Sequence, residues 1–354
     1  MIVIDDRLNA LCTGLAPYDD VASFSGGQLT HTMLRQSRAT ALFVRSTTNV
    51  DRALLANTDV QFVATATSGT DHIDHVWCAN NKITVVDAAG SNANAVAEWV
   101  MIVLAELKAF RTDITVGIVG YGHVGSRVER MCRTLGLNTL VNDPPRQRAG
   151  LPVPHSVELD ELLARCSVVS LHVPMIRTGP DCTMDLISAR ELALLPQHAM
   201  MINTARGGIL NESDALQWME HGFRYVAADT FANEPDINTA FSKACTIATP
   251  HIAGHTLNAF VDASRMIGEA WCAWKQVPAD HIRKACRPVY PKPKPLVAGD
   301  NELVQPIRAR FNRRFSDVCL KMQFAVSDAQ PQDVANNFME IRRTHILRKE
   351  TYLL

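Results

Sequence analysis

The sequence predicts an α/β protein of two lobes, a doubly wound parallel sheet with a smaller α/β lobe ahead of it. Three observations predict this. Between Ile114 and about Thr256, short apolar runs alternate with helical stretches, the pattern of stacked βαβ units. A shorter series of the same alternation occupies the chain ahead of it. The 354 residues also exceed what one hydrophobic core usually serves.

In the longer series the strands are ITVGIVG, NTLVND, CSVVSLHVP, AMMINTA, YVAADTF and CTIATPH. They are apolar throughout rather than alternating, as strands covered by helices on both faces should be. In the shorter series the strands are MIVID, TALFVRS, VQFVATA and ITVVDA, with helices such as LTHTMLRQS and NVDRALLAN between them. A helix from Asn94 to Phe110 leads into the larger lobe and another from Leu257 to Lys275 leaves it, so two crossings and a cleft between lobes are expected. The expected boundaries are 1–93 with 257–286 for the smaller lobe, 94–256 for the larger, and 287–354 for a linker and C-terminal segment. The four prolines of RPVYPKPKPLVAGDN mark the linker as extended and semi-rigid. Beyond it Leu303, Ile307, Phe311 and Phe315 recur at helical spacing.

The totals exclude several classes. A net charge of −1 provides no field for holding nucleic acid or an anionic membrane. Nine cysteines, scattered without a C-x-x-C pair, argue against a disulfide framework and a structural zinc site. The start MIVIDD enters a strand at once and leaves no room for a secretory leader, so a cytoplasmic protein is expected. The apolar run Ala93–Phe110 carries Glu98, Glu106 and Lys108 and reads as a buried helix, not a membrane span.

VGIVGYGHVGSRV spaces Gly120, Gly122 and Gly125 as G-x-G-x-x-G, after a strand and before a helix with Val124, Val128, Met131, Cys132 and Leu135 on its inner face. In that context the first glycine permits a tight turn and the second lets backbone approach a pyrophosphate. The third lets helix pack on strand, and the helix N-terminus offers N–H groups to the anion. This is the fingerprint of a Rossmann-type domain. Asp143, ending the next strand, stands where a carboxylate takes a ribose 2′-hydroxyl, although Pro144 and Pro145 also suit it to capping a turn. Its charge would repel a 2′-phosphate, which favours NAD over NADP.

Ligands of open α/β sheets lie at the carboxyl ends of the strands, where AMMINTA, YVAADTF and CTIATPH lead to Arg206, Glu234 and His251. The guanidinium of Arg206 matches a carboxylate in two bonds. An imidazole such as that of His251 exchanges a proton near neutrality, and Glu234 can hold it in one tautomer and stabilise the imidazolium. Cation, base and hydride acceptor together suit the oxidation of a 2-hydroxy acid. His255 follows His251 by four residues, but the pattern places no third ligand and a glycine lies between them, so no metal is expected.

NTARGG, NEP and PHIAG, downstream of GIVGYGHVG, resemble the D-isomer-specific 2-hydroxy acid dehydrogenases. The resemblance implies a Rossmann-type doubly wound sheet, a smaller flavodoxin-like lobe, NAD, and an active site of Arg206, Glu234 and His251. VRSTTNV, FVATATSGTDHID, NDPPR, TGPDCT and PHIAGHT extend it to nearly the whole chain up to Lys275. These stretches, with MEIRRTHILRKE near the C-terminus, resemble a branch with a phosphorylated substrate and a short C-terminal dimerisation domain, which implies a homodimer. Carried over, the cofactor set is Gly120, Gly122, His123, Val124, Gly125, Asp143, Val173, Thr204, Ala205, Arg206, Asp229 and Gly254. The substrate set is Arg45, Ser46, Thr67 and His255. His255 stands where the family usually has Tyr, and Val173 where it often has Thr. Within the same chemistry 3-phosphoglycerate, glyoxylate or hydroxypyruvate are alternative substrates, and a NAD-responsive corepressor is an alternative of another class.

Overall fold

The computed structural model describes residues 1–287, apart from 110, 112 and 223, and residues 331–344. It divides into two compact units, one of Met1–Asn92 with the chain from His255, the other of Ala93–Gly254 with the described C-terminal helix.

The first unit alternates β1 (Ile2–Asp5), α1 (Asn9–Leu15), β2 (Val21–Phe24), α2 (His31–Ser37), β3 (Ala41–Val44), α3 (Arg52–Leu55), β4 (Phe62–Thr65), α4 (His75–Asn80) and β5 (Thr84–Val86). The strands are parallel in the order β2-β1-β3-β4-β5, the flavodoxin-like order. β1, β3 and β4 are buried residue by residue, which their unbroken apolar runs required. The side chains of Thr30, Asp51 and Asp74 cap α2, α3 and α4 by accepting from Met33, Leu54 and Trp77 N–H. The sequence does not predict β2: of VASF only Phe24 is buried, so this edge strand carries no hydrophobic signature.

The second unit runs α5 (Ala93–Glu106), β6 (Thr115–Val119), α6 (His123–Thr134), β7 (Asn138–Asn142), α7 (Pro144–Arg148), α8 (Leu159–Arg165), β8 (Val168–Leu171), α9 (Ala189–Ala193), β9 (Met200–Asn203), α10 (Glu212–Glu220), β10 (Tyr225–Ala228), α11 (Thr239–Ala244) and β11 (Ile247–Ala248). All six predicted strands form. Their order is β11-β10-β9-β8-β6-β7, every pair parallel. The chain therefore reverses its direction of growth beside β6, and the switch point falls at the glycine turn. α5 is buried on all sides, as an apolar helix without a polar face must be. It stops at Glu106, short of the expected Phe110, and Lys108 turns the chain with φ of 54°.

After Gly254 the chain returns to the first unit as α12 (Leu257–Lys275) and α13 (Asp280–Ala285). Ile267, Trp271 and Ile282 there close a core with Ile2, Ile4, Phe43 and Phe62. The proline-rich linker and the periodic residues Leu303 to Phe315 lie outside the described residues. α14 (Pro331–Thr344), from the stretch the sequence sets apart as 287–354, shares the second unit's core. Its Val334 and Phe338 are 3% and 1% exposed, in one cluster with Trp218, Phe231 and Phe241. No described helix is long and apolar enough to cross a membrane.

Candidate active site

The glycine turn joins β6 to α6. Gly120 adopts φ of +94°, and a Cβ on Gly125 would lie 1.9 Å from the Gly120 carbonyl oxygen, so a side chain is excluded where helix meets turn. A Cβ on Gly122 would meet nothing within 4 Å, which leaves the open face that a pyrophosphate needs. His123 and Val124 open α6. Val173 leans over the turn, its Cγ1 2.9 Å from the Cβ position of Gly120. Asp143 caps α7, its Oδ1 accepting from Arg146 N–H at 2.9 Å, while Oδ2 accepts from Tyr121 N–H at 2.7 Å. Asp143 is thus the cap of α7, and it is also tied to the glycine turn. Each oxygen keeps a lone pair for a hydroxyl. The residues fit NAD.

Beyond β9, the Asn203 side chain organises the turn that carries Thr204, Ala205 and Arg206. Its Oδ1 accepts from Ala205 N–H at 3.1 Å and its Nδ2 donates to the Arg206 carbonyl at 3.0 Å. The Arg206 guanidinium donates to the Ala205 carbonyl at 2.8 Å. His172, directly after β8, lies between Ser170 at 2.9 Å and Thr204 at 3.4 Å, and burial pushes its imidazole down to about 3, so it is neutral.

Glu234 and His251 form a pair. His251 Nδ1 and Glu234 Oε2 are 2.7 Å apart, with side chains 31% and 17% exposed, and Phe231 N–H donates to Glu234 Oε1 at 2.8 Å. With Nδ1 on the carboxylate, Nε2 is the ring nitrogen that Glu234 does not engage. Burial opposes the charge on Glu234, but the His251 imidazole, the Phe231 N–H and the Arg342 charge outweigh it and hold the carboxyl below its ordinary value. His251 has φ of 54°, a left-handed conformation uncommon outside glycine. Asp229 sustains that turn: its carboxylate accepts from Thr249 Oγ1 at 2.5 Å, Ile252 N–H at 2.8 Å and Ala253 N–H at 2.9 Å, and its carbonyl accepts from His251 N–H at 2.7 Å. Burial raises its carboxyl to about 6 against the imidazole and those hydrogen bonds. Gly254 ends the turn half-buried.

Arg45, Ser46 and Thr67 belong to the first unit, at the carboxyl ends of neighbouring strands β3 and β4. Ser46 is exposed and Arg45 half-buried. The Thr67 hydroxyl donates to the Gly69 carbonyl at 2.7 Å and lies 2.8 Å from Thr65 Oγ1, which in turn lies 3.0 Å from His72 Nε2. Arg45 Nε donates to Asp5 Oδ1 at 2.9 Å, and Asp5 is fully buried. His255, half-buried, precedes Thr256, the cap of α12. Among the described residues no three His, Cys, Asp or Glu cluster so as to hold a metal.

The sequence did not point to Asn203, Asp5 or Glu212, which accepts from Ala232 N–H at 2.6 Å. An asparagine ending a strand is a detectable turn signal. The other two act on partners that only the folded sheet brings near.

Residues 104–253 match the family described as D-isomer specific 2-hydroxyacid dehydrogenase, NAD binding domain. The chain is 36% identical over 292 residues to the erythronate-4-phosphate dehydrogenase of Hydrogenovibrio crunogenus, covering 81% of this chain and 76% of that protein. With the erythronate-4-phosphate dehydrogenase of Marinobacter nauticus it shares 35% identity over 364 residues, 99% of this chain and 92% of the relative. The chain belongs to the erythronate-4-phosphate dehydrogenase family, within the D-isomer-specific 2-hydroxyacid dehydrogenases. Among solved structures, the NAD-bound 3-phosphoglycerate dehydrogenase of Entamoeba histolytica superposes with a TM-score of 0.65 at 24% identity, over 78% of this chain and 95% of that one. This likeness concerns the fold. The family match identifies the second unit as an NAD-binding domain, and the glycine turn, Asp143 and the α6 N-terminus are the parts of it that fit the dinucleotide.

Proposed function

We propose that this chain oxidises the 2-hydroxyl of 4-phospho-D-erythronate to the 2-oxo acid with NAD, the step its relatives' name describes and one used in vitamin B6 biosynthesis. The observation that carries the reading is the His251–Glu234 pair at 2.7 Å in the same unit as Arg206 and the glycine turn. NAD, when bound, supplies the hydride acceptor for C2. His251 Nε2 takes the hydroxyl proton, and Glu234 fixes the tautomer and stabilises the imidazolium that results. Arg206 holds the substrate carboxylate in two bonds and so sets which hydrogen is removed. Asp229 acts on the His251 backbone, and by the family resemblance also meets the cofactor, together with Val173, Thr204, Ala205 and Gly254.

The phosphate is assigned to Arg45, Ser46 and Thr67 with the turn at Ser68–Thr70, and His255 to the substrate. Asp5 supports this reading, since it holds the Arg45 guanidinium and spares it the entropy of being ordered by the ligand. The enzyme is assigned to the cytoplasm, whose reducing conditions suit the eight free cysteines described, and to a homodimer formed through the C-terminal segment.

The test is a pair of substrates. The phosphorylated acid should exceed erythronate in kcat/KM by at least about 10²-fold, the value of one or two charge-assisted hydrogen-bond sets of roughly 1.5–3 kcal/mol each. Ser46→Ala and Thr67→Ala should weaken the former and leave the latter nearly unaffected. Equal turnover of both acids would direct the assignment to a general 2-hydroxy acid dehydrogenase.

A further inference from the structure

Two consecutive peptide N–H groups follow β10, and each is held by a different carboxylate. Phe231 N–H donates to Glu234 at 2.8 Å and Ala232 N–H donates to Glu212 at 2.6 Å. Glu212 opens α10, so it reaches this loop from another element. The same peptide is approached by backbone: a Cβ on Gly207 would stand 1.9 Å from the Phe231 carbonyl carbon and 2.3 Å from Ala232 N. Gly207 directly follows Arg206, so the turn bearing the carboxylate-binding cation and the loop bearing Glu234 meet at the peptide that Glu212 secures. The ring of Phe231 is closed in by Phe241 at 6.1 Å and Phe338 at 6.3 Å between centroids.

We propose that Glu212 is a positioning residue for the Glu234–His251 pair, holding Ala232 N–H so that the Glu234 carboxylate stays on His251 Nδ1; this rests on the acid–base roles assigned above. Without that acceptor the Ala232 N–H lacks its carboxylate partner and the loop is free to carry Glu234 off the imidazole. A displacement of this kind, small in distance, is costly in a proton transfer that depends on alignment.

Glu212 also brings charge. The titratable groups that act on it or feel it are Glu234 and Cys245, and those that act on Glu234 are His251 and Arg342. Burial raises the Glu212 carboxyl to about 7, the Ala232 hydrogen bond opposes the rise and the Glu234 charge adds to it. Glu212 therefore ionises in the range where imidazoles do, and its charge then adds to that of Glu234 beside the proton that His251 accepts. The acid limb of the rate profile belongs to the coupled set rather than to one group.

The experiment measures kcat, KM and the pH profile of kcat/KM for the full-length protein with NAD and 4-phosphoerythronate, in wild type, Glu212→Ala, Glu212→Gln and His251→Asn. Glu212→Ala should lower kcat about tenfold or more while KM and NAD affinity stay near wild type. Glu212→Gln, whose amide oxygen still accepts from Ala232 N–H, should restore most of kcat, and its acid limb should narrow to a single ionisation. A wild-type kcat in Glu212→Ala with an unaltered profile in Glu212→Gln would overturn the proposal, as would failure of Gln to restore what Ala removes. If those results came with an inactive His251→Asn, the positioning role alone would fall; full turnover in His251→Asn would overturn the acid–base reading as well.

Discussion

Asp143 has a structural task and an assigned one, which substitution can separate. Its carboxylate caps α7 through Arg146 N–H and holds the glycine turn through Tyr121 N–H, and its remaining lone pairs are assigned to the cofactor ribose. In Asp143→Ala both tasks are lost. Losing the cap costs about 1 kcal/mol of stability. Losing a charge-assisted acceptor for the ribose costs roughly 1.5–3 kcal/mol, which at about 1.4 kcal/mol per decade weakens NAD by about 10- to 150-fold. Asp143→Asn keeps an oxygen for the α7 cap, but its amide nitrogen cannot accept from Tyr121 N–H, so it should lose less stability than Asp143→Ala while NAD weakens and the repulsion of a 2′-phosphate disappears. Calorimetric titration with NAD and NADP, alongside thermal unfolding, reads both. The expected order is a narrowed NAD preference in both variants and a Tm lowered further in Asp143→Ala than in Asp143→Asn. An unchanged NAD/NADP ratio in both would refute the ribose role and leave Asp143 a cap.

Phe338→Ala should destabilise the protein by about 3–5 kcal/mol, the usual cost of truncating a fully buried phenylalanine, read from urea unfolding; an unshifted midpoint would remove α14 from the core of the second unit. Glu212→Gln should also change stability with pH. Because the folded protein raises this carboxyl from 4.5 to about 7, it binds the proton more tightly than the unfolded chain, and wild-type stability falls as pH rises through that interval. The variant lacks this fall, so its Tm relative to wild type should rise from pH 4.5 to 7 and level off above; a difference independent of pH would contradict the raised value. Light scattering of the intact chain should show a dimer, and a chain cut near Pro288, which also loses the Val334 and Phe338 packing of the second unit, should lose that dimer together with part of its thermal stability; an unchanged oligomer would place the main interface elsewhere.

The inner strands β6, β8 and β9 were legible because they are buried on both faces and therefore largely apolar, a signal independent of the rest of the fold. β2 was not, because VASF lies at the sheet edge with one buried residue. α7 reads in sequence as a turn after Asp143, yet prolines at its first two positions suit a helix start, where the missing N–H groups have no partner to lose. The placement of the glycine turn, Arg206, Glu234 and His251 beyond strand ends of one unit was legible because such ends in a doubly wound sheet lie on one side whatever the loops do. What supports them was not. Glu212 reads in sequence as an acidic residue favoured at a helix start, and Asp5 and Arg45 meet only because β3 pairs with β1. The resemblance marks Asp229 as a cofactor residue, whereas its bonds to the His251 turn arise only once the ends of β10 and β11 lie side by side.

His251 is assigned above as the base for NAD-dependent oxidation of a phosphorylated 2-hydroxy acid. That role is tested most directly by the initial rate of reduced nicotinamide formation from 4-phospho-D-erythronate and NAD, in wild type and His251→Asn, with NAD affinity measured in both. Turnover is expected in the wild type and a rate lower by about 10²–10⁴ in the variant, the worth of general base catalysis, at unchanged NAD binding. No turnover of this acid by the wild type, or equal rates in the two proteins, would contradict it.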